Sequence, residues 1–218
     1  MSYTRLRPWF FAAFLGLTGL CVTTPARAES LTAEENGRLL AGQVVARNVD
    51  ATVHGGQYVG GVSYAIIDAP QVRVLAALLD PAAYLHILPL VQETREVGWS
   101  DGDRLYYFRH GSSLGSGGYT CRVHPEAGGT LRFWLDPSQP HDIDDAWGYF
   151  RVDDAGNGRT LLTVGMLVDL GFGFARLLFE ERIRSRLLTT PGLVKRYVEK
   201  VERERNSGAA RVVSSAAP

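Results

Sequence analysis

The chain has little cysteine: Cys21 and Cys121 are the two thiols in 218 residues. Cys21 falls in an N-terminal stretch that reads as a cleaved leader, so the mature chain keeps one thiol and can form no intramolecular disulfide. Its stability has to come from its core. Long apolar runs are missing too. The N-terminal run, Trp9 to Val22, spans 14 residues, short of the roughly 20 needed to cross a bilayer as a helix. Neither sign of charge is in surplus, with 23 basic and 23 acidic residues. No Lys/Arg cluster with interleaved aromatics is present, which argues against a nucleic-acid partner. "GSSLGSGG" holds no lysine and leads into no helix, so a phosphate-binding loop is not expected either.

The beginning of the chain has the pattern of an export signal. Arg5 and Arg7 precede the apolar run, and Ala26-Arg27-Ala28 offers small residues at both positions that a signal peptidase reads. Cleavage is expected before Glu29. Leu20 stands before Cys21 where a lipoprotein signal has a small residue, so lipidation is not expected. Losing 28 of 218 residues leaves 190, enough for one domain with a substantial core. The leader removes Arg5, Arg7 and Arg27 from the 23 basic residues, leaving 20 against 23 acidic ones and a net charge of −3. The protein is expected to be exported, and periplasmic if its source is a Gram-negative bacterium.

Three parts follow the leader at 1–28: an N-terminal helix and linker over 29–56, a folded domain over 57–205, and a disordered tail over 206–218. Thr32 with Glu35 three residues on is a capping box for a helix to about Leu40. "QYVGGVSYAIID" reads as a strand rich in Val, Ile and Tyr. Asp68-Ala69-Pro70 reads as a helix start with Asp68 as N-cap, and Asp80-Pro81 as the start of a second, short helix ended by Pro89. The period then falls to two. Segments near 91–99, 103–110, 117–124, 130–136, 146–152 and 159–168 alternate, separated by Gly, Asp, Ser and Pro turn residues. A helix follows from "GFGFARLL". It breaks at Thr189-Thr190-Pro191, where Thr190 is expected to cap a second piece carrying Leu193, Val194, Tyr197, Val198 and Val201 on one face. The tail from Asn206, rich in Ala, Ser and Gly, has the composition of a disordered segment.

This order of a strand, two short capped helices, a run of antiparallel strands and a C-terminal helix resembles the helix-grip fold of the START-like, or SRPBCC, superfamily. "SYAIIDAPQVRVLAALLDPAAYLHILPLVQETREV" is similar to that family's opening, and "GRTLLTVGMLVDLG" with the final helix to its close. The likeness spans about Gln57 to Arg205. It implies an α+β fold in which a curved antiparallel sheet wraps around a long C-terminal helix and leaves a hydrophobic cavity. It also implies lipid or hydrophobic small-molecule binding or transport: a sterol, quinone, fatty acid or polyketide-like ligand, exchanged through transient membrane contact, without a cofactor. The alternative in the same cavity is a polyketide cyclase/dehydrase-like enzyme. The group also includes coenzyme Q-binding relatives.

The densest chemistry lies in "WLDPSQPHDIDDAWGYF", where His141, Asp142, Asp144 and Asp145 fall within five positions. A metal would need more. No second histidine stands at helical spacing, and the alternating acids, glycine and closing glutamate of a calcium loop are lacking. Acid/base work could draw on His141, Asp142, Asp145, Tyr149 and Arg109, but no spacing fixes their mutual geometry. The expected role of His141, Asp142 and Asp145 is to shape the loop and face a ligand's head group, with Trp134, Trp147 and Tyr149 flanking it. The other reading of these aromatics is packing across strands. Phe172 and Phe174, next to Gly171 and Gly173, are expected to gate the cavity; the alternative is a helix end buried on several sides. Cys121 sits on the parity of Tyr119 and Val123, as a small buried hydrophobe.

The leader yields the first test. Intact mass of the exported protein is expected to match a chain starting at Glu29. A diacylated Cys21 at the new N-terminus would refute this reading.

Overall fold

The computed structural model describes residues 30–53, 56–112, 115–169, 171 and 174–215, without the side chains of 53, 112, 115, 174–179 and 208–215. The expected leader over 1–28 and Phe172 lie outside the described residues, as does the side chain of Phe174. The capping box forms. Thr32 Oγ1 accepts from the Glu35 N–H at 3.1 Å and Glu35 Oε2 accepts from the Thr32 N–H at 2.8 Å, opening α1, Ala33–Leu40.

The stretch expected as a linker is a strand. β1, Val45–Val53, pairs antiparallel along its length with β2, Gly56–Ile67. Its charged residues Arg47 and Asp50 have partners. Arg47 pairs with Glu35 of α1 at 2.6 Å, and Asp50 with Arg184 at 2.7 Å. The compact unit therefore starts at Thr32 rather than at Gln57.

α2 spans Gln71–Leu78 and begins at Pro70, which has no side-chain cap bond. Asp68 is not its N-cap, because the residue before a proline is pushed to extended backbone and the helix start moves past it. The Asp68 N–H instead donates to Glu199 Oε1 at 3.0 Å. Asp80 caps as expected: its Oδ1 accepts from the Ala82 N–H at 2.9 Å, and a 3-10 turn, Pro81–Ala83, runs into the one-turn α3, Tyr84–Ile87.

The period-two segments become β3 (Val91–Ser100), β4 (Asp103–Ser112), β5 (Gly115–Glu126), β6 (Thr130–Leu135), β7 (Asp145–Gly156) and β8 (Arg159–Asp169). With β1 and β2 they form one curved, eight-stranded antiparallel sheet in the order β1-β2-β8-β7-β6-β5-β4-β3. Register shifts interrupt β3 between Val91 and Glu93 and between Glu96 and Gly98. Gly60 and Gly61 adopt φ 152° in β2, where a Cβ would collide with the Met166 carbonyl of β8 and the Arg47 carbonyl of β1 respectively. Glycine here lets the strands stay paired through a bend.

α4, Phe174–Leu188, and α5, Thr190–Ser215, meet at the expected break. Thr189, not Thr190, holds the capping position: its carbonyl accepts from the Leu193 N–H at 3.2 Å, and its hydroxyl donates back to the Arg186 carbonyl at 2.9 Å. Thr190 is the first helical residue and is buried. α5 also continues through Asn206 to Ser215, where composition led to the expectation of a disordered tail. Ser207 Oγ donates to the Arg203 carbonyl at 2.8 Å, and Ala209-Ala210 favours helix.

The main core lies between α5, α2 and the concave face of the sheet. Val194 and Val198 of α5 share one cluster with Val74 and Leu78 of α2, Ile67 of β2 and Leu162 and Val164 of β8. Lys195 Nζ donates to the Ile66 carbonyl at 2.6 Å and pairs with Glu199 at 2.7 Å, which fixes the helix lengthwise on β2.

Glu35 gives this architecture an acid-sensitive joint. Its hydrogen bond from Arg47, with the Thr32 N–H adding, lowers its pKa to about 2. A carboxyl held below its ordinary value stabilises the fold above that value and loses the contribution as pH falls through the folded value. Glu35→Gln is therefore expected to cost stability at neutral pH and to flatten the loss between about pH 4.5 and pH 2. Urea midpoints taken across that range would show it, and parallel pH profiles for both proteins would refute it.

Candidate ligand-binding cavity

Alternation along the strands decides which side chains meet inside. Tyr106, Phe108 and His110 of β4 face the same side as their partners Cys121, Tyr119 and Gly117 of β5. Leu131 and Phe133 of β6, Ala146 and Phe150 of β7, and Met166 and Val168 of β8 share that concave side. α5 fills the concave face near β2 and β8. Over β4 to β6 no helix fills it equally, and an apolar cavity of about 360 Å³ remains, closed by α3, the Leu88–Leu90 segment and Ile183, Arg186 and Leu187 of α4. The volume lies at the lower end of the 300–1,000 Å³ typical of small-molecule sites.

A second cluster of buried rings and aliphatics forms the wall under α3. Tyr84 meets Phe108 edge-on at 5.4 Å, Phe108 stacks on Tyr119 at 5.7 Å, and Tyr119 stacks on His110 at 5.5 Å. His110 Nε2 and the Tyr119 hydroxyl are 2.9 Å apart. The other phenols have backbone partners. Tyr84 donates to the Leu78 carbonyl at 2.8 Å and Tyr106 to the Leu79 carbonyl at 2.7 Å. Burial lowers the His110 pKa and raises that of Tyr119. Among the described residues the cavity has two charged side chains, Asp142 and Arg186, both exposed at its rim.

The acidic loop is built by its own carboxylates. Asp142 Oδ2 accepts from the Gly118 N–H at 2.7 Å while the Asp142 N–H donates to the Gly118 carbonyl at 3.0 Å, clasping the loop to β5. The Asp144 N–H donates to the Asp169 carbonyl at 3.0 Å. Asp145 Oδ2 accepts from the Tyr58 hydroxyl at 2.6 Å, a bond that, with burial adding, pushes the Tyr58 pKa up to about 12. His141 is exposed and its Nδ1 lies 2.7 Å from the Ile143 carbonyl. Among the described residues no three His, Cys, Asp or Glu side chains are gathered as a metal would require.

Among the described side chains expected to face a ligand, Asp142 alone lines the cavity. His141 and Asp145 shape the loop instead. Trp134 pairs with Trp147 across β6 and β7, and Tyr149 lies over Gly165, all on the convex side and one residue out of phase with Phe133, Ala146 and Phe150. Trp147 is 43% exposed. They pack across strands and do not flank a head group. Phe172 and the Phe174 side chain lie outside the described residues, so no contact of either is assigned. At the start of α4, buried Gly171 has φ 77°, and an added Cβ would lie 2.7 Å from the Asp144 carboxylate. Arg109 is on the convex side, paired with Glu93 at 3.1 Å. Sequence reasoning missed His110 and Tyr119 as wall residues. The period-two pattern of Tyr106, Phe108 and His110 was the available signal.

Cys121 reports on this wall. Burial, with the Asp145 charge adding, pushes its thiol up to about 12. In a Cys21→Ser protein, the anionic disulfide reagent DTNB is expected to label Cys121 at least about tenfold more slowly than a free thiol at pH 8, and fully after unfolding. Labelling of the native protein at the free-thiol rate would show the wall to be open.

No family model and no curated protein matches the sequence. Solved structures do match. A START superfamily protein from Mycobacterium smegmatis is similar at 15% identity and a TM-score of 0.54, covering 72% of this chain and 98% of the other. The STAR-related lipid transfer protein from Xanthomonas axonopodis is similar at 15% identity and a TM-score of 0.53, covering 70% and 98%. The di-domain ARO/CYC StfQ from the steffimycin biosynthetic pathway is similar at 15% identity and a TM-score of 0.51, covering 66% of this chain and 46% of the other. The likeness shows the fold: with an eight-stranded antiparallel sheet around a long C-terminal helix, this protein has a helix-grip fold similar to that of these START-like structures.

Proposed function

We propose that this protein is an exported carrier that holds a hydrophobic small molecule or lipid in the helix-grip cavity. One observation carries the reading: a cavity of about 360 Å³ whose wall is apolar and whose charged groups sit only at the rim. An empty apolar cavity forgoes contacts, and a ligand that fills it gains roughly 25 cal/mol for each Å² of apolar surface removed from water. Two of the similar structures bear names that refer to START or lipid transfer, which supports the same reading. Leu85 and Leu90, 42% and 40% exposed, lie on the segment that borders the cavity and support transient membrane contact. Export rests on the leader-like N-terminus, and a periplasmic site follows for a Gram-negative source.

The second reading is a cyclase/dehydrase-type enzyme in the same cavity. His110 favours it, because a neutral imidazole bonded to a phenol can accept a proton from a bound ligand. Incubation with host lipid extract separates the two. Ligand recovered with unchanged mass is the carrier's outcome. A product made by wild type and lost in His110→Phe would establish the enzyme.

Val168→Phe places a larger ring on a half-buried position of the cavity wall. It is expected to weaken binding of a hydrophobic probe by about tenfold or more while thermal stability changes little. Undiminished binding would put the ligand elsewhere.

A further inference from the structure

We infer that His110 and Tyr119 recognise a single uncharged oxygen, a hydroxyl or a carbonyl, on the molecule held in the cavity. The inference rests on the reading of this cavity as a ligand site and narrows its ligand to a neutral, oxygen-bearing apolar molecule.

The argument is a count of polar hydrogens. A neutral imidazole and a phenol bring two, one N–H and one O–H. Their 2.9 Å contact engages one of them, whichever tautomer is present. If the phenol donates to Nε2, the remaining hydrogen is on Nδ1. If Nε2 donates to the phenol oxygen, the remaining hydrogen is on Tyr119. Among the described residues neither group has another hydrogen-bond partner. One donor is therefore left over on a wall where Tyr84 and Tyr106 are already bonded to backbone carbonyls. The wall around it is apolar, so an oxygen on the ligand supplies the partner this donor lacks.

The pair is also held still. His110 and Tyr119 lie within 13° of parallel, Tyr119 and Phe108 within 28°, and Tyr84 meets Phe108 at 82°. Gly117 opposite His110 adds no side chain in front of it. The choice of a neutral ligand follows from what this wall lacks. Among the described residues no cation stands on it, Asp142 is clasped to Gly118, and Arg186 is exposed at the rim. Burial keeps His110 in its neutral form. A carboxylate at this depth would carry an unpaired charge. Thr190, a buried hydroxyl residue on the helical side, is the competing neutral group.

The test uses N-phenyl-1-naphthylamine as a fluorescent occupant, displaced in turn by decan-1-ol, decan-2-one, decane and decanoate. In wild type the alcohol and ketone are expected to act at about tenfold lower concentration than decane. His110→Phe and Tyr119→Phe each leave one donor, so each alone reduces the preference in part. The double variant keeps both rings and is expected to abolish it, the alcohol and ketone being compared with decane within the same variant so that a change in probe affinity does not count. A preference that survives the double variant, or one abolished by Thr190→Val, would overturn the inference. So would decanoate outcompeting the alcohol in a manner lost with Arg186→Gln. Imidazole ¹⁵N shifts in wild type give a reading independent of variant folding. Decan-1-ol is expected to move the His110 ring signals and decane to leave them in place; equal responses would count against the pair. If the probe does not bind wild type, or Val168→Phe does not weaken it, the cavity reading itself fails and this inference falls with it.

Discussion

The burial of Val194 and Val198 against Ile67, Leu162 and Val164 decides everything else in the molecule. Neither valine side is left in water: both residues are at most 3% exposed. α5 is thereby fixed over β2 and β8, with Lys195 and Glu199 bonding it to Ile66 and Asp68. A helix so placed cannot also cover β4 and β5 of a curved sheet. The space over those strands is the geometric remainder of a core packed well elsewhere, and the break at Thr189 turns α4 so that Ile183 and Leu187 roof it.

The loop of acids serves the same arrangement. Asp142 holds β5, Asp145 holds Tyr58 of β2, and Asp169 accepts from the Gln57 and Gly171 N–H groups at 3.0 and 2.9 Å. These carboxylates close the open end of the sheet by bonding to backbone and phenol groups, which a metal or a substrate would have to displace. The wall instead presents stacked rings, His110 on Tyr119, and burial lowers the pKa of that imidazole.

Much of the fold was legible because its signals are local. The Thr32–Glu35 box, the Asp80 cap and six alternating segments depend on residues a few positions apart. β1 was not legible, since Arg47 finds its partner in α1, 12 residues back, and Asp50 finds its partner in α4, 134 residues on. Asp68 failed as a cap through a neighbour effect of Pro70 that the cap pattern alone does not include. The cavity could be expected from the order of elements, but its wall required phase. Trp134, Trp147 and Tyr149 drew notice by size, yet one residue of offset puts them on the convex face. His110 sits in phase with Tyr106 and Phe108, and only the pairing of β4 with β5 brings it to Tyr119.

The two register shifts in β3 have a consequence for solubility. β3 ends the sheet, and a final strand offers unpaired backbone groups to any other extended chain. Offsets at Val91/Glu93 and Glu96/Gly98 break the straight run that a new strand would need, and Glu93, Arg95 and Glu96 place charge along it. With one thiol outside its leader-like N-terminus, the protein has no internal disulfide to restrain a partly unfolded form. The irregular border of β3 is its guard against edge-to-edge aggregation.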